Sequence, residues 1–332
     1  MSALSDQLLV VATLAYLVAM MLHAAEYAFV EGVRGGRAAK QPARELVGAG
    51  AGAAAGASGG GQEPSSDPTT DTAAAGRPSR TGELAGRAAI VVTVLAAVAN
   101  FGTMATRGIA AGRMPWGNMY EFLLTLTFVG IAAWLVVLAR RPALRHLGLF
   151  VTLAMVLLLG VSGLVLYVPI VPLVPALQSY WFIVHVATAV ISSGIFLFGA
   201  VPAALFLIRS GYDRGKRGFP YTLGYRLPEG ALLERLAFRM HAFAFPIWTF
   251  SIIAGAVWAE AAWGRPWGWD PKETWAFISW VVYAGYLHAR ATPSVKRTIV
   301  AWIAVLGFLT MLMNLFGVNL FIGGLHSYAG VE

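Results

Sequence analysis

Eight stretches of this chain run for roughly twenty residues with almost no charge, and that pattern constrains its fold more than any other feature. Crossing a hydrocarbon core of about 30 Å takes about 20 helical residues at 1.5 Å each. The runs cover approximately 7–30, 84–102, 120–139, 147–168, 181–208, 241–259, 274–290 and 298–317. The expected fold is therefore all-α, a polytopic integral membrane helical bundle of about eight transmembrane helices. Composition agrees, because 58% hydrophobic and 12% charged residues leave too little polar surface to coat a soluble globule of 332 residues. No small-residue cleavage pattern follows the first run, so it is read as a retained helix and not as a signal peptide.

The net charge of +8 is a topology signal and not a nucleic-acid footprint, since the basic residues fall in short clusters between apolar runs. Twenty of the 24 Lys and Arg lie in four segments on one side of the alternating spans: 31–87, 140–146, 209–240 and 290–297. Only Arg107, Arg113, Arg265 and Lys272 fall on the other. The positive-inside rule makes the first side cytoplasmic and both termini extracytoplasmic. Residues 1–30 then form a first transmembrane helix and 31–83 a cytoplasmic, largely disordered linker, rich in Gly, Ala, Ser and Pro. Residues 84–332 form a seven-helix membrane domain with an external loop at about 259–275.

That loop region is unusual. Six of the eleven tryptophans fall between 258 and 280: Trp258, Trp263, Trp267, Trp269, Trp275 and Trp280. An interfacial aromatic belt accounts for Trp258 and Trp280, but not for Trp263, Trp267 and Trp269 packed with Gly264 and Gly268 in a short connection. Flat indoles beside glycines suit a surface that receives a large planar apolar ligand. The following Asp270-Pro271-Lys272-Glu273 has the grammar of a helix start, with Asp270 as cap, Pro271 first and Glu273 reaching back. An outward ammonium at Lys272 either pairs with an anionic ligand group or is solvated.

Topology sorts the six histidines. His185 lies one turn inside the outer end of the fifth run, and His326 in the outer C-terminal segment. Neither has a carboxylate or cysteine at metal-site spacing in the sequence, which argues against a local zinc site. Each is either one axial ligand of a haem, whose porphyrin supplies the other four donors, or an interfacial hydrogen-bonding histidine. His288 falls about 13 residues, or about 20 Å, below Trp275 in the inner half of the bilayer, where an ionisable group is costly and therefore a functional candidate. His23 lies at similar depth and is either a second ligand of an intramembrane site or paired with Glu26. His146 and His241, at cytoplasmic helix ends beside arginines, are read as solvated. With zero cysteines the chain has no thiol nucleophile, so any thiol chemistry belongs to another molecule.

The run from Trp263 to His288, with its W-G-W-D-P-K-E-T-W core, and the closing G-L-H-S-Y resemble the tryptophan-rich WWD-domain haem-handling proteins, most closely the CcsA or ResC type of system II cytochrome c biogenesis. The resemblance covers about 101–332. It implies that His185 and His326 are axial ligands of haem b held against the loop of Trp263, Trp267, Trp269 and Asp270. It implies that His288 belongs to a second, intramembrane haem site whose opposing histidine usually comes from a ResB-like membrane subunit, which weakens the case for His23. The outer segment 113–121 looks like the family's second external motif. The implied activity is holocytochrome c synthesis within a complex in the bacterial plasma membrane, with apocytochrome c carrying Cys-x-x-Cys-His as substrate and a thioredoxin-like reductant serving it. The family's chemistry places no catalytic residue in this chain, because the thiols come from the substrate. Two alternatives stand beside this reading: a haem exporter or chaperone without ligase activity, and a solute permease. The permease is disfavoured because no acidic residue or lysine falls in the centre of any run.

Overall fold

A computed structural model describes residues 1–29 and 80–326; most of the expected linker, 31–83, lies outside the described residues. Each of the eight apolar runs becomes a helix: α1 (Ser2–Ala28), α2 (Arg80–Ala111), α3 (Met119–Arg140), α4 (Gly148–Leu164), α5 (Tyr180–Asp213), α6 (Gly230–Trp263), α7 (Pro271–Ala291) and α8 (Arg297–Leu312). A π-helical turn, Met313–Gly317, continues α8 into the short α9 (Val318–Phe321). No strand occurs among the described residues. Seven of these helices are long and apolar enough to cross a membrane. The exception is α7, whose 21 residues match the others in length but include Trp, Tyr and His side chains along most of its turns. The protein is a polytopic helical membrane protein, in which helices satisfy every interior backbone group without water.

Helix α5 organises the bundle. It packs along α6 over most of its length and also against α3 and α8, and its middle turns from Ser192 to Ala200 are almost wholly buried. Helices α1, α2 and α4 form a second group, joined to the rest through α3. At 34 residues each, α5 and α6 measure about 51 Å, well beyond a hydrocarbon core. The surplus in α6 corrects one expectation. Residues 230–240 have the composition of a basic connection, but they form three helical turns that carry His241 into the bundle. His241 is fully buried, not solvated, and lies among Phe196, Tyr283 and Tyr286 with its Nδ1 on the Ala237 carbonyl at 2.6 Å.

The connections at one end of the bundle, 112–118, 165–179, 264–270 and 322–326, are tied to one another and to neighbouring helix ends. Trp258 Nε1 donates to Ala176 O at 2.9 Å and the Leu325 N–H to Asp270 Oδ1 at 2.8 Å. At this end Glu121 is fully buried and accepts from Arg107 (2.8 Å), Arg113 (2.7 Å) and the Gly117 N–H (2.7 Å), while Asn118 caps α3 through the Glu121 N–H. At the opposite end Tyr27 reaches the Leu223 carbonyl, and Glu26 pairs with Arg145.

Candidate functional site

The tied end of the bundle opens into a cavity enclosing about 1420 Å³ of empty space, its mouth and the open solvent there included. Its wall draws on α3, α5, α6, α7, α8 and the connections between them. Most of that wall is apolar and aromatic, with Trp116, Phe122, Phe182, Trp248, Trp258, Trp263 and Trp267 contributing rings. His185 and His326 both line it.

The helix register explains how His185 is held. In α6, Ser251, Gly255 and Trp258 recur at intervals of four and three and so share one face. The Ser251 carbonyl accepts from His185 Nδ1 at 2.8 Å, Gly255 leaves room for the ring, and Trp258 stacks on it at 5.7 Å and 19°. A carbonyl can only accept, so the proton sits on Nδ1 and the imidazole lone pair on Nε2.

His326 is held by a different device. The Asp270 side chain caps α7 by accepting from the Lys272 N–H, and Glu273 reaches back to the Asp270 N–H at 3.0 Å, completing a capping box. The same carboxylate accepts from the Leu325 N–H and from His326 Nδ1 at 2.9 Å, so the residue that starts α7 also anchors the C-terminal segment. Here too the acceptor fixes the proton on Nδ1, as in the carboxylate–histidine pairs behind metal sites. Burial works to raise the Asp270 carboxyl, but the His326, Leu325 and Lys272 donors override it and hold the group down at about 2. Burial draws the His326 imidazole below its ordinary range despite Asp270, which favours the neutral form with a lone pair on Nε2. The His326 ring meets the edges of Trp258 at 5.8 Å and Trp263 at 5.2 Å.

The other expected site residues separate. Trp263 and Trp267 line the cavity, whereas Trp269 does not; it adopts a positive φ of 57°, is 65% exposed and packs edge-on against Trp267 and Phe277 outside it. Trp258, which composition assigns to an interfacial belt, instead touches both cavity histidines. The signal for it is present in the Ser251–Gly255–Trp258 spacing. Of the four cations at this end of the bundle, Arg107 and Arg113 are committed to Glu121, Arg265 lies 3.8 Å from Glu273, and Lys272 lines the cavity.

His288 stands exposed on α7, on the same stripe as Phe277, Val281 and Gly285, facing away from the bundle. His23 is buried and lies against the ring of Trp134, 3.6 Å from Glu26, and a Cβ at Gly148 would stand 2.3 Å from its ring. The structure thus puts His23 in an internal ion-pair group with Glu26, Arg145 and His146, and does not bring it to His288.

The part of the chain that builds this cavity has known relatives. Residues 116–326 match the family described as cytochrome C assembly protein, a span running from one cavity-lining residue, Trp116, to another, His326. This chain belongs to the cytochrome c assembly family. Proteins named cytochrome c biogenesis protein CcsA are similar to it over most of their length. The one from Guillardia theta is 36% identical over 252 residues, covering 71% of this chain and 83% of the relative. Those of Trieres chinensis and Pyropia yezoensis are each 34% identical, covering 72% and 73% of this chain and 85% and 87% of theirs. Within the cytochrome c assembly family the chain is thus of the CcsA type, and its role lies in cytochrome c biogenesis, which involves haem and apocytochrome c. The matched span omits α1 and α2 and takes in every helix that walls the cavity.

Proposed function

We propose that this protein is the membrane haem-handling subunit of a system II cytochrome c synthetase, moving haem b to the outer face and presenting it for attachment to apocytochrome c. The observation that carries the reading is the pair of cavity histidines, each with Nδ1 tied to an acceptor and its lone pair on Nε2, set around Trp258. Haem iron needs one or two neutral imidazoles, and the aromatic wall suits a flat apolar macrocycle. His185 and His326 would supply the axial nitrogens, with Trp258, Trp263 and Trp267 as the surface beside them. Asp270 serves as a positioning residue for His326.

In this reading the active face is extracytoplasmic and the membrane is the bacterial plasma membrane. His288 receives haem from the cytoplasmic side. Its exposure on α7 supports a site completed by another chain, for which a ResB-like subunit is the proposed partner. Apocytochrome c docks at the outer face, and each thiol of its Cys-x-x-Cys-His adds across a haem vinyl group, the sulfur bonding one carbon and the proton going to the other. The protein's contribution is positioning, and the nucleophiles are the substrate's. A thioredoxin-like reductant keeps those thiols reduced. Export of haem without ligation needs the same cavity and differs only in whether thioethers form.

The test is the visible spectrum of the detergent-purified protein, alone and with its partner, beside His185→Ala, His326→Ala and His288→Ala. Sharp reduced bands that weaken in the variants and return with added imidazole are expected. A wild type that binds no haem, or three variants with unchanged spectra, would sink the assignment. Thioether formation on a Cys-x-x-Cys-His peptide by the purified complex separates ligation from export.

A further inference from the structure

Two axial imidazoles fix where a haem iron sits but leave the macrocycle free to rotate about the line joining them. An orienting group has to act at the periphery. The periphery of haem b carries its two propionate carboxylates on one edge and its two vinyl groups toward the opposite edge, so a cation on the cavity wall breaks that freedom.

The wall holds one such cation among the described residues. Arg107 and Arg113 are drawn off by Glu121, and Arg265 folds over Gly268 toward Glu273. Lys272, the second residue of α7, lines the cavity, and no carboxylate among the described residues lies within ion-pairing distance of its ammonium. Its Nζ donates to the Asn314 carbonyl at 3.3 Å. Glu273 also borders the cavity; its Oε2 accepts from the N–H groups of Gly268 and Asp270 and lies 3.8 Å from Arg265, so its charge is matched by that guanidinium and not by Lys272, while its Oε1 accepts no hydrogen bond among the described residues.

Asn314 supplies a second, independent observation. It lies in the π-helical turn Met313–Gly317, the kind of local irregularity often found at functional sites. Its side chain lines the cavity, is 7% exposed, and its Oδ1 accepts no hydrogen bond among the described residues. Because the two ends of an amide are interchangeable by rotation, Asn314 can present its N–H₂ to an incoming acceptor. An ammonium and an amide donor side by side in an aromatic wall match a carboxylate, which accepts from both.

We infer that Lys272, with Asn314 beside it, is a carboxylate-binding subsite that grips the propionate edge of the bound macrocycle and so turns its vinyl edge away from the α7–α8 wall. This rests on the reading of the cavity as a haem site.

The experiment compares iron protoporphyrin IX with its dimethyl ester, in which both acids are capped, on the full-length protein in detergent. Binding is followed by Soret absorption, and ligation by His185 and His326 through the bis-imidazole bands. The wild type should bind the diacid about tenfold or more tighter than the diester, the scale of one charge-assisted hydrogen bond. Lys272→Met should reduce that preference to about twofold while keeping the bis-imidazole bands, and Lys272→Arg should retain part of it. Should Lys272→Met fail to fold, as judged by loss of those bands, Asn314→Leu carries the same comparison and should reduce the preference severalfold. A wild type that ligates iron but does not distinguish the two porphyrins overturns the subsite and leaves the haem site standing. The subsite is equally overturned if Lys272→Met and Asn314→Leu both discriminate as well as the wild type. A wild type that ligates neither porphyrin overturns the haem site and the subsite together.

Discussion

Asp270 performs two tasks with one carboxylate, and two readouts of one substitution tell them apart. As an N-cap it satisfies a backbone donor at the start of α7; as an acceptor from Leu325 and His326 it pins the C-terminal segment across the cavity. Asp270→Ala removes both and should cost about 1 kcal/mol for the cap, with a further loss of the His326 contribution to iron ligation. The check is a thermal melt beside the haem spectrum, whose imidazole response should match that of His326→Ala. A variant that melts lower but keeps the wild-type spectrum would show that His326 is positioned by something else. Gly255 offers the matching experiment on the other histidine. A Cβ there would stand 2.8 Å from the His185 ring, so Gly255→Ala has to displace the imidazole or the helix. The expected result is weakened iron ligation with an overpacking cost of about 1–3 kcal/mol, read as a Soret shift and a lower melting temperature.

Among the helices, the segment from Arg107 to Glu121 shows what the cations at the cavity end do. Glu121 is buried between two guanidinium groups, and removing it would leave the fully buried Arg107 and the mostly buried Arg113 without their carboxylate. Glu121→Ala should destabilise the protein by about 3–5 kcal/mol and loosen the connection that brings Trp116 and Met119 to the cavity. Glu83→Ala, at an exposed pair with Arg87, should change stability by less than about 1 kcal/mol. Melting curves of both variants in detergent make the comparison; equal shifts would mean that the buried triad contributes no more than a surface pair. At this scale much is legible in the sequence. Apolar runs locate all eight long helices because length and hydrophobicity are what lipid selects. The capping box at Asp270 is legible because its residue types are set by backbone donors. The first turns of α6 escape a search for uncharged runs because residues 230–240 carry Glu234, Arg235 and Arg239, although Leu233, Leu236, Ala237 and Met240 keep a helical period. The burial of His241 is hidden for the same reason, although it heads the inward series His241, Ala244, Trp248, Ser251. Trp269 leaves its expected place because loop geometry decides it: the left-handed backbone there turns its ring outward, and local composition does not encode that turn, whereas Trp258 follows the helical spacing it shares with Ser251 and Gly255.

At the scale of the whole molecule, two unlike halves are joined. The α1–α2–α4 group carries the internal His23–Glu26–Arg145–His146 cluster, and the α5–α8 group carries most of the cavity wall, while the family match runs from α3 onward across both. Were all eight long helices to cross, alternation would put the cavity connections on the face poor in Lys and Arg, and the connections at 141–147 and 292–296 on the basic face. Haem presented to an external substrate requires that this be the real orientation, with α7 crossing although it is the least apolar helix. The absence of cysteine makes the point directly testable, since any introduced thiol is the only one in the chain. Ser2→Cys and Val174→Cys, both exposed at the cavity end, should react with a membrane-impermeant maleimide added to intact cells. Ala143→Cys and Ser294→Cys, exposed at the other end, should react only after the membrane is opened. Position 294 decides the matter for α7: labelling from outside would mean that α7 re-enters without crossing, which would place His288 outside the inner half of the bilayer and remove the route by which haem is proposed to arrive from the cytoplasm.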